Sequence, residues 1–273
     1  MAQLVEQHGH HLWAPGKHKT NVFSFILEAN EILLSRQLPS FELPDLEEIQ
    51  EAWRQHGNSV ATINRKTMAL SKLLRAAHKA GAVSAIPEFR QLEEPPERIR
   101  FLTIREENSL FGHIRSLSKD YYDLSIVLVD TGAKIGEIID LRWADISHDA
   151  STLRLSRNKG RYDRTIPTTA RVAAILAPMQ RTSQEGPFCT IEQYKYRAVW
   201  NEAKVRAGLG NDEGIVPYVL RHTCASRLVQ GGVDLRRVQL WLGHRTLQMT
   251  MKYDYLSTNN LNICASVLHA MRG

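Results

Sequence analysis

The sequence predicts a mainly helical protein of two domains with one small antiparallel β-sheet. Apolar residues recur at helical spacing along most of the 273-residue chain, whereas residues 152–157 alternate polar and apolar as a strand does, with residues 164–167 as a partner strand. A chain of this length usually forms more than one compact domain, and a segment rich in proline and glutamate begins near Glu94. We therefore expect an all-helical first domain at 1–94, a connector at 95–100 and a second domain at 101–273.

Composition favours a polyanionic partner. The 35 lysines and arginines exceed the 29 acidic residues, giving a net charge of +6 and a pI near 9.3.

The three cysteines, Cys189, Cys224 and Cys264, are odd in number and form no C-x-x-C pair, so neither a disulfide framework nor a zinc site is expected. The N-terminus lacks the apolar core of a signal peptide, and no apolar run approaches the roughly 18 residues of a membrane span. We expect an intracellular protein that does not contact a membrane.

The first domain opens with a lead-in, residues 1–20, that carries four histidines but no cysteine or well-spaced carboxylate. We expect this segment to be solvated or to face DNA, and not to hold a metal. Apolar spacing predicts helices at Asn21–Leu34 and Pro44–Trp53, the second with proline in its first turn.

The helix predicted from Thr62 to Ala80 has five lysines or arginines and no acid. At 100° per residue, four of these cations fall within about 80° of one another, opposite an apolar stripe. An ordinary solvated face normally mixes charges of both signs, so we favour contact with phosphates over that alternative. The four DNA-binding candidates are Arg65, Lys72, Arg75 and Lys79.

In the second domain Thr103 is a predicted N-cap, with Glu106 and Glu107 in the first helical turn. Residues 121–146 predict two helices separated by a break at Thr131-Gly132. The β-hairpin then follows, and further helices are predicted at Ala170–Leu176, at Tyr194–Ala207 and in the C-terminal part of the chain.

The segment from Pro217 to Leu256 is predicted to form a helix, a turn, a second helix, a tight turn and a third helix. Gly231-Gly232 is expected to end the first helix with left-handed residues, and Asp234 is expected to cap the second. Gly243 ends that second helix directly before a histidine.

Three polar residues of this segment suit phosphoryl transfer. A phenol such as that of Tyr253 can attack a phosphodiester and conserve its bond energy in a covalent link. Negative charge then gathers on the non-bridging oxygens, where the guanidinium of Arg221 can hold two oxygens and the imidazole of His244 can donate one hydrogen bond. This chemistry requires neither a metal nor a cofactor.

The order Arg221-His222, Leu242-Gly243-His244 and Tyr253 resembles the C-terminal signature of the tyrosine recombinases, the phage integrase family. The resemblance implies a helical core-binding domain followed by a catalytic domain. It also implies site-specific recombination of double-stranded DNA through a 3′-phosphotyrosyl intermediate at Tyr253.

The segment around Thr131-Gly132 also resembles this family, with one departure. Lys134 stands where the family has its first catalytic arginine, and Glu137 matches the acidic residue that supports it. Lysine keeps the charge but loses the planar fork, which we expect to slow the reaction by about 10²–10³-fold. The chain is then either a naturally slow recombinase or an engineered, attenuated one.

Two further candidates follow from the resemblance. Lys159, in or beside the predicted hairpin turn, matches the lysine that protonates the leaving 5′ oxygen, with Arg161 as the alternative. Tyr218 stands three residues before Arg221, where the family most often has histidine or lysine. A phenol is a poor base near pH 7, so we expect Tyr218 to assist by positioning or hydrogen bonding.

The resemblance further implies a homotetramer on paired DNA sites in a prokaryotic or phage-infected cell, with a directionality factor or a DNA-bending host protein as possible partners. The residues before the core-binding domain are too few for the separate arm-type DNA-binding domain of some integrases, so we expect either a simple two-domain recombinase or a chain from which that domain has been removed. The tail, Ser257–Gly273, is expected to form a short helix that docks on a neighbouring protomer or on its own domain. A type IB topoisomerase, and a sequence-specific DNA-binding protein with a disabled site, are the alternative functions.

Overall fold

The computed structural model divides the chain into two compact units, Met1–Glu97 and Arg98–Gly273. The described residues are 2–35, 43–86, 88–94, 99–156, 163–179, 185–257 and 262–271. The prolines of the predicted connector lie outside these ranges, so the expected boundary at Glu94 stays a prediction. The mainly helical fold with one small antiparallel sheet is confirmed.

The first unit is helical throughout its described part. Ser59 caps its basic helix by accepting a hydrogen bond from the backbone N–H of Thr62. Buried apolar side chains of three long helices, among them Ile26, Trp53 and Leu70, form a common core. The elements are α1 (Ala2–Leu4), a π-helical turn (Val5–Gly9), α2 (His10–Leu12), α3 (Lys17–Ser35), α4 (Leu43–Gln55) and α5 (Val60–Lys79).

The N-terminal lead-in, expected to be solvated or to face DNA, is exposed over most of its length but packs on the first unit at three residues, and contact with DNA stays a prediction. Val5 and Trp13 are buried in the core of the first unit, and Gly9 lies so close to the ring of Phe23 that a side chain there would press on it. The apolar residues of this segment are few, but they cover surfaces of α3 and α5 that would otherwise face water. The histidines therefore belong to a segment that packs on the first unit through its few apolar residues.

The second unit contains the remaining elements. The two strands pair antiparallel, with Thr152 opposite Pro167 and Leu155 opposite Arg164. The residues between Ser156 and Asp163, including Lys159 and Arg161, lie outside the described part of the chain. The elements are α6 (Ile104–Leu117), α7 (Lys119–Thr131), α8 (Ile135–Ile139), β1 (Thr152–Leu155), β2 (Arg164–Pro167), α9 (Ala170–Leu176), α10 (Gln193–Arg206), α11 (Val219–Gln230), α12 (Leu235–Leu242), α13 (Gln248–Met251) and α14 (Asn262–Ala270).

Helices α6, α7, α10 and α11 pack around the main core of the second unit. Helix α6 begins at Thr103 with the predicted N-cap, which forms a reciprocal capping box with Glu106. The buried rings of α10 keep their polar atoms bonded: Trp200 Nε1 donates to the carbonyl of Ile215 at 3.1 Å, and the Tyr196 hydroxyl bonds that of Ser125 at 2.8 Å.

The ends of the C-terminal helices follow the sequence prediction with one correction. Gly232 is left-handed, with φ of 82°, but Gly231 keeps a negative φ of −77°, so a single glycine of the pair makes the turn. The predicted tail helix is present as α14, and residues 266–271, which are its C-terminal part and the residue after it, are exposed. Over the described ranges, no helix combines the length and the apolar character that a bilayer crossing requires.

Substitution by alanine should change the stability of the protein in opposite directions at two glycines of the second unit. A Cβ at Gly186 would overlap the backbone carbonyl of Leu141, whereas a Cβ at Gly112, in the middle of α6, would meet no atom within 4 Å. We expect Gly186→Ala to lower the free energy of unfolding by about 1–3 kcal/mol through overpacking. Gly112→Ala should raise it by about 0.5–1 kcal/mol because alanine favours the helix. Urea denaturation of the two variants measures both effects, and a stabilised Gly186→Ala variant would contradict the close approach of Gly186 to the Leu141 carbonyl.

Candidate active site

Arg221 is the centre of the candidate site and is 3% exposed on helix α11. Its Nη1 donates to the carbonyl of Gly132 at 2.6 Å, and its Nη2 donates to the carbonyl of Leu242 at 2.9 Å. These carbonyls belong to the C-terminal ends of α7 and α12, where the helix dipole favours a cation. The guanidinium thus joins two helix ends that are 110 residues apart in sequence.

Glycine is needed at both helix ends. Gly132 and Gly243 adopt left-handed φ values of 61° and 67° and end α7 and α12. A Cβ on Gly132 would lie 2.6 Å from Leu242 Cδ2, and a Cβ on Gly243 would lie 2.8 Å from Arg164 Nη1. The close approach of the two helices to Arg221 therefore depends on both glycines.

The third guanidinium nitrogen of Arg221, Nε, is buried and, within the part of the chain that the structure describes, has no hydrogen-bond partner. Burial lowers the pKa of Arg221, the nearby charge of Arg164 lowers it further, and Tyr218, Glu137 and Tyr253 oppose this shift. A buried guanidinium with an unpaired N–H suits an anion that brings its own acceptor oxygens.

His244 directly follows Gly243 and is 8% exposed. Its Nδ1 lies 2.8 Å from Thr250 Oγ1. Burial and the positive charges of Arg221, Lys252, Lys134 and Arg164 lower its pKa to about 4, so the ring is neutral near pH 7. When Thr250 donates to Nδ1, the proton resides on Nε2, which makes that nitrogen a hydrogen-bond donor.

Tyr253 follows α13 and is 1% exposed in an apolar cluster that includes Val229, Val238 and Leu242. Its hydroxyl lies 2.8 Å from Nδ1 of His222. His222 was not among the predicted site residues, although its place one residue after Arg221 and four after Tyr218 on one helix was a usable signal. Lys252 Nζ lies 5.6 Å from the centroid of the tyrosine ring and adds positive charge near the phenol.

Lys134 is the residue immediately before α8 and is partly buried. Its backbone N–H donates to Glu137 Oε2 at 2.8 Å. The Glu137 carboxylate, predicted to support Lys134, also forms a two-pronged ion pair with Arg164 on β2, with both N–O distances 3.1 Å. Sequence reasoning placed Arg164 only as a strand residue and missed this contact.

The Glu137–Arg164 pair is almost fully buried, with side-chain exposures of 6% and 9%. Burial alone would raise the pKa of Glu137, but the hydrogen bonds and charge of Arg164, the Lys134 N–H and the charge of Arg221 lower it below its ordinary value. Arg164 Nε also donates to the carbonyl of Trp241 at 2.8 Å. Arg164 therefore ties β2 to both α8 and α12.

Tyr218 is 48% exposed at the start of α11, and its ring meets that of His222 edge-on at 5.0 Å. Together with Lys134, Arg197 and Arg221 it lines a cavity of about 200 Å³. The structure thus gathers Arg221, Lys134, His244, Tyr218 and Tyr253 in one region of the second unit. Lys159, the sixth predicted residue, lies outside the described ranges.

In the first unit, the four predicted DNA-binding side chains of α5 are all exposed. Lys72 Nζ donates to the carbonyl of Leu12 at 2.6 Å and lies over the Trp13 ring. Arg75 Nε donates to Ser71 of its own helix. The fifth cation of the helix, Lys66, is buried against Glu28, with a Nζ–Oε2 distance of 2.6 Å, and is therefore structural.

The second unit matches a known family. The phage integrase family is recognised over residues 100–260, which is more than half of the chain. A tyrosine recombinase of Thermosipho africanus is 27% identical over 94% of this chain and 96% of its own length. Tyrosine recombinase XerC of Corynebacterium efficiens is 28% identical over 82% of this chain and 76% of its own length.

Solved structures with the same fold have been determined on DNA. A lambda integrase dimer bound to a COC′ core site has a TM-score of 0.74 at 18% identity and covers 91% of this chain and 96% of its own. A Tn1549 transposon integrase in complex with a circular intermediate DNA has a TM-score of 0.73 at 19% identity, covering 99% and 97%. The protein is a tyrosine recombinase by class. It belongs to the phage integrase family.

The buried ion pair beneath the site should be important for stability. Glu137→Gln leaves the Arg164 guanidinium buried without its counter-charge, so we expect a loss of about 3–5 kcal/mol in the free energy of unfolding. Because the pKa of Glu137 is lowered in the folded state, the loss should be full well above the ordinary carboxyl pKa of about 4.3 and should shrink on acidification.

Urea denaturation at several pH values measures this loss. The matched control is Glu192→Gln, which removes an exposed carboxylate paired with Lys195 and should have no measurable effect. Equal stabilities of the Glu137→Gln variant and the wild type near neutral pH would contradict the prediction.

Proposed function

We propose that this chain recombines double-stranded DNA at specific sites and that Tyr253 forms a 3′-phosphotyrosyl intermediate. The observation that carries the proposal is the buried guanidinium of Arg221, which has an unpaired Nε and lies in the same charged region as His244 and Tyr253. Such a site suits a phosphodiester, whose oxygens replace the missing hydrogen-bond partner. The solved relatives are bound to DNA, which supports the same substrate.

The proposed reaction assigns one task to each side chain. The Tyr253 oxygen attacks the scissile phosphorus and the bond from phosphorus to the 5′ oxygen breaks, while Lys159 gives that oxygen a proton. Arg221, Lys134 and His244 stabilise the charge that develops on the non-bridging oxygens, and Tyr218 assists beside them. In the second half of the reaction, the 5′-hydroxyl of a partner strand gives its proton to Lys159 as its oxygen attacks the phosphotyrosyl link, and the bond from phosphorus to the Tyr253 oxygen breaks.

Strand exchange between two DNA sites requires several protomers. We propose a homotetramer on paired sites, to which a directionality factor or a DNA-bending host protein would add control. The exposed apolar side chains of Val267 and Leu268 on α14, and of Met271 directly after it, support an association of this kind because burial against a neighbour would stabilise them.

The nucleophile is tested with a DNA site that carries a nick beside the scissile phosphate, so that cleavage traps the covalent product. Tyr253→Phe removes one hydroxyl and should abolish the protein–DNA adduct on a denaturing gel, with DNA binding within a few-fold of wild type. The control is Tyr255→Phe, since Tyr255 is exposed and two residues away. An adduct that survives Tyr253→Phe and disappears in Tyr255→Phe would identify the other tyrosine.

The lysine at the first arginine position should limit the rate. We expect Lys134→Arg to raise single-turnover cleavage by roughly one to two orders of magnitude, because a guanidinium can hold two phosphate oxygens where an ammonium acts as a point charge. Cleavage at or below the wild-type rate would show that the pocket around Lys134 is adapted to lysine.

We also propose that the exposed cations of α5 contact the DNA backbone. Arg65 and Lys79 are the most informative pair to replace, because the side chains of Lys72 and Arg75 also form hydrogen bonds within their own unit. Replacing both with alanine should weaken binding to all sequences and lower the slope of log K against log salt by about two units. The control is Arg54→Ala, an exposed cation of α4 that pairs with Glu51. An unchanged slope in the double variant would assign the α5 cations to an ordinary solvated face.

A further inference from the structure

A nucleophilic tyrosine needs a group that takes its proton. The free phenol has a pKa of about 10, so little phenolate is present near pH 7. The position three residues before Arg221 holds Tyr218, whose phenol is a poor proton acceptor at that pH. His244 is also a weak acceptor, because its pKa is lowered to about 4 and its Nδ1 already bonds Thr250. The structure contains another imidazole in a suitable place.

His222 lies within hydrogen-bonding distance of the nucleophile. Its Nδ1 is 2.8 Å from the Tyr253 hydroxyl, and the two rings are 5.9 Å apart between centroids. The Tyr218 ring, one helical turn earlier on α11, meets the imidazole edge-on at 5.0 Å. The imidazole is therefore in aromatic contact with two rings, one of which carries the reacting hydroxyl.

We propose that His222 is the general base of the reaction and that Tyr218 positions its ring. The proposal rests on the proposed function of Tyr253. The proton of the Tyr253 hydroxyl passes to His222 Nδ1 as the bond from oxygen to phosphorus forms, which requires the imidazole tautomer with its own proton on Nε2. When a 5′-hydroxyl later attacks the phosphotyrosyl link, the imidazolium returns this proton to the departing Tyr253 oxygen.

Neighbouring charges influence this proton transfer. The titratable and charged groups on α11 and on the segments that pack against it are, besides His222 itself, Tyr218, Arg221, Cys224 and Arg227 on α11; Lys119, Asp120, Tyr121, Tyr122, Asp123 and Asp130 on α7; Asp234, Arg236, Arg237 and His244 on α12 and at its two ends; and Lys252, Tyr253, Asp254 and Tyr255 after α13. Lys252 and Arg221 both stabilise a phenolate near the site, which complements proton removal by His222.

His222→Asn separates proton transfer from positioning. The amide oxygen of asparagine can still accept a hydrogen bond from Tyr253 near the place of Nδ1, but it cannot take up a proton. On the nicked DNA site, we expect single-turnover cleavage to fall by about 10²–10⁴-fold with DNA binding unchanged. The wild-type rate should rise with pH across the range in which imidazoles titrate, and the variant should lose this rise. Added imidazole should partly restore cleavage in His222→Ala.

His113→Asn, the same substitution on α6, is the matched control and should cleave as the wild type does. A His222→Asn variant with wild-type rate and pH profile would overturn the proposal, and so would faster cleavage, which would make the contact a restraint on Tyr253. Melting temperatures of the His222 variants close to that of wild type establish that they are folded. A wild-type protein that forms no adduct would instead overturn the proposed function, so the two failures are distinguishable.

Discussion

The second unit depends on the two hydrogen bonds from the Arg221 guanidinium to the carbonyls of Gly132 and Leu242. Burying a guanidinium is costly unless acceptors replace the lost water, and the C-terminal ends of α7 and α12 supply carbonyls that have no partner within their own helices. The Arg221 side chain thus donates hydrogen bonds to the carbonyls at two helix ends, and these two carbonyls hold the guanidinium in one orientation. Within the described part of the chain, the remaining Nε is buried without a hydrogen-bond partner.

The Glu137–Arg164 ion pair holds together α8, β2 and α12, the elements around Arg221. Glu137 holds the backbone N–H at the start of α8, and Arg164 extends from β2 to the carbonyl of Trp241 on α12. A site built on helix ends and a strand keeps its side chains in place through contacts around them rather than through their own bonds alone. The position of Lys134 is therefore set by residues on two other elements.

The sequence predicts the helical fold, the hairpin, the cap at Thr103 and the glycine at the end of α12, because each of these follows from local spacing or from one residue's backbone preference. It does not predict the pairing of Arg164 with Glu137, which are 27 residues apart, or that of His222 with Tyr253, which are 31 apart. Such pairs arise when distant elements pack, and periodicity carries no information on them. The packed N-terminal segment was missed for the same reason, since Val5 and Trp13 are buried by helices that come later in the chain.

Gly132 and Gly243 also limit which amino-acid substitutions this enzyme can accept. At both positions a side chain is disfavoured twice, once by a backbone conformation that suits glycine and once by the atoms that a Cβ would meet. In a library of random variants selected for faster reaction, substitutions at these two glycines should be depleted even though neither glycine has a reactive group. Improved variants would then come from side chains around the Arg221 centre, and the backbone that holds it would remain the same across the selected population.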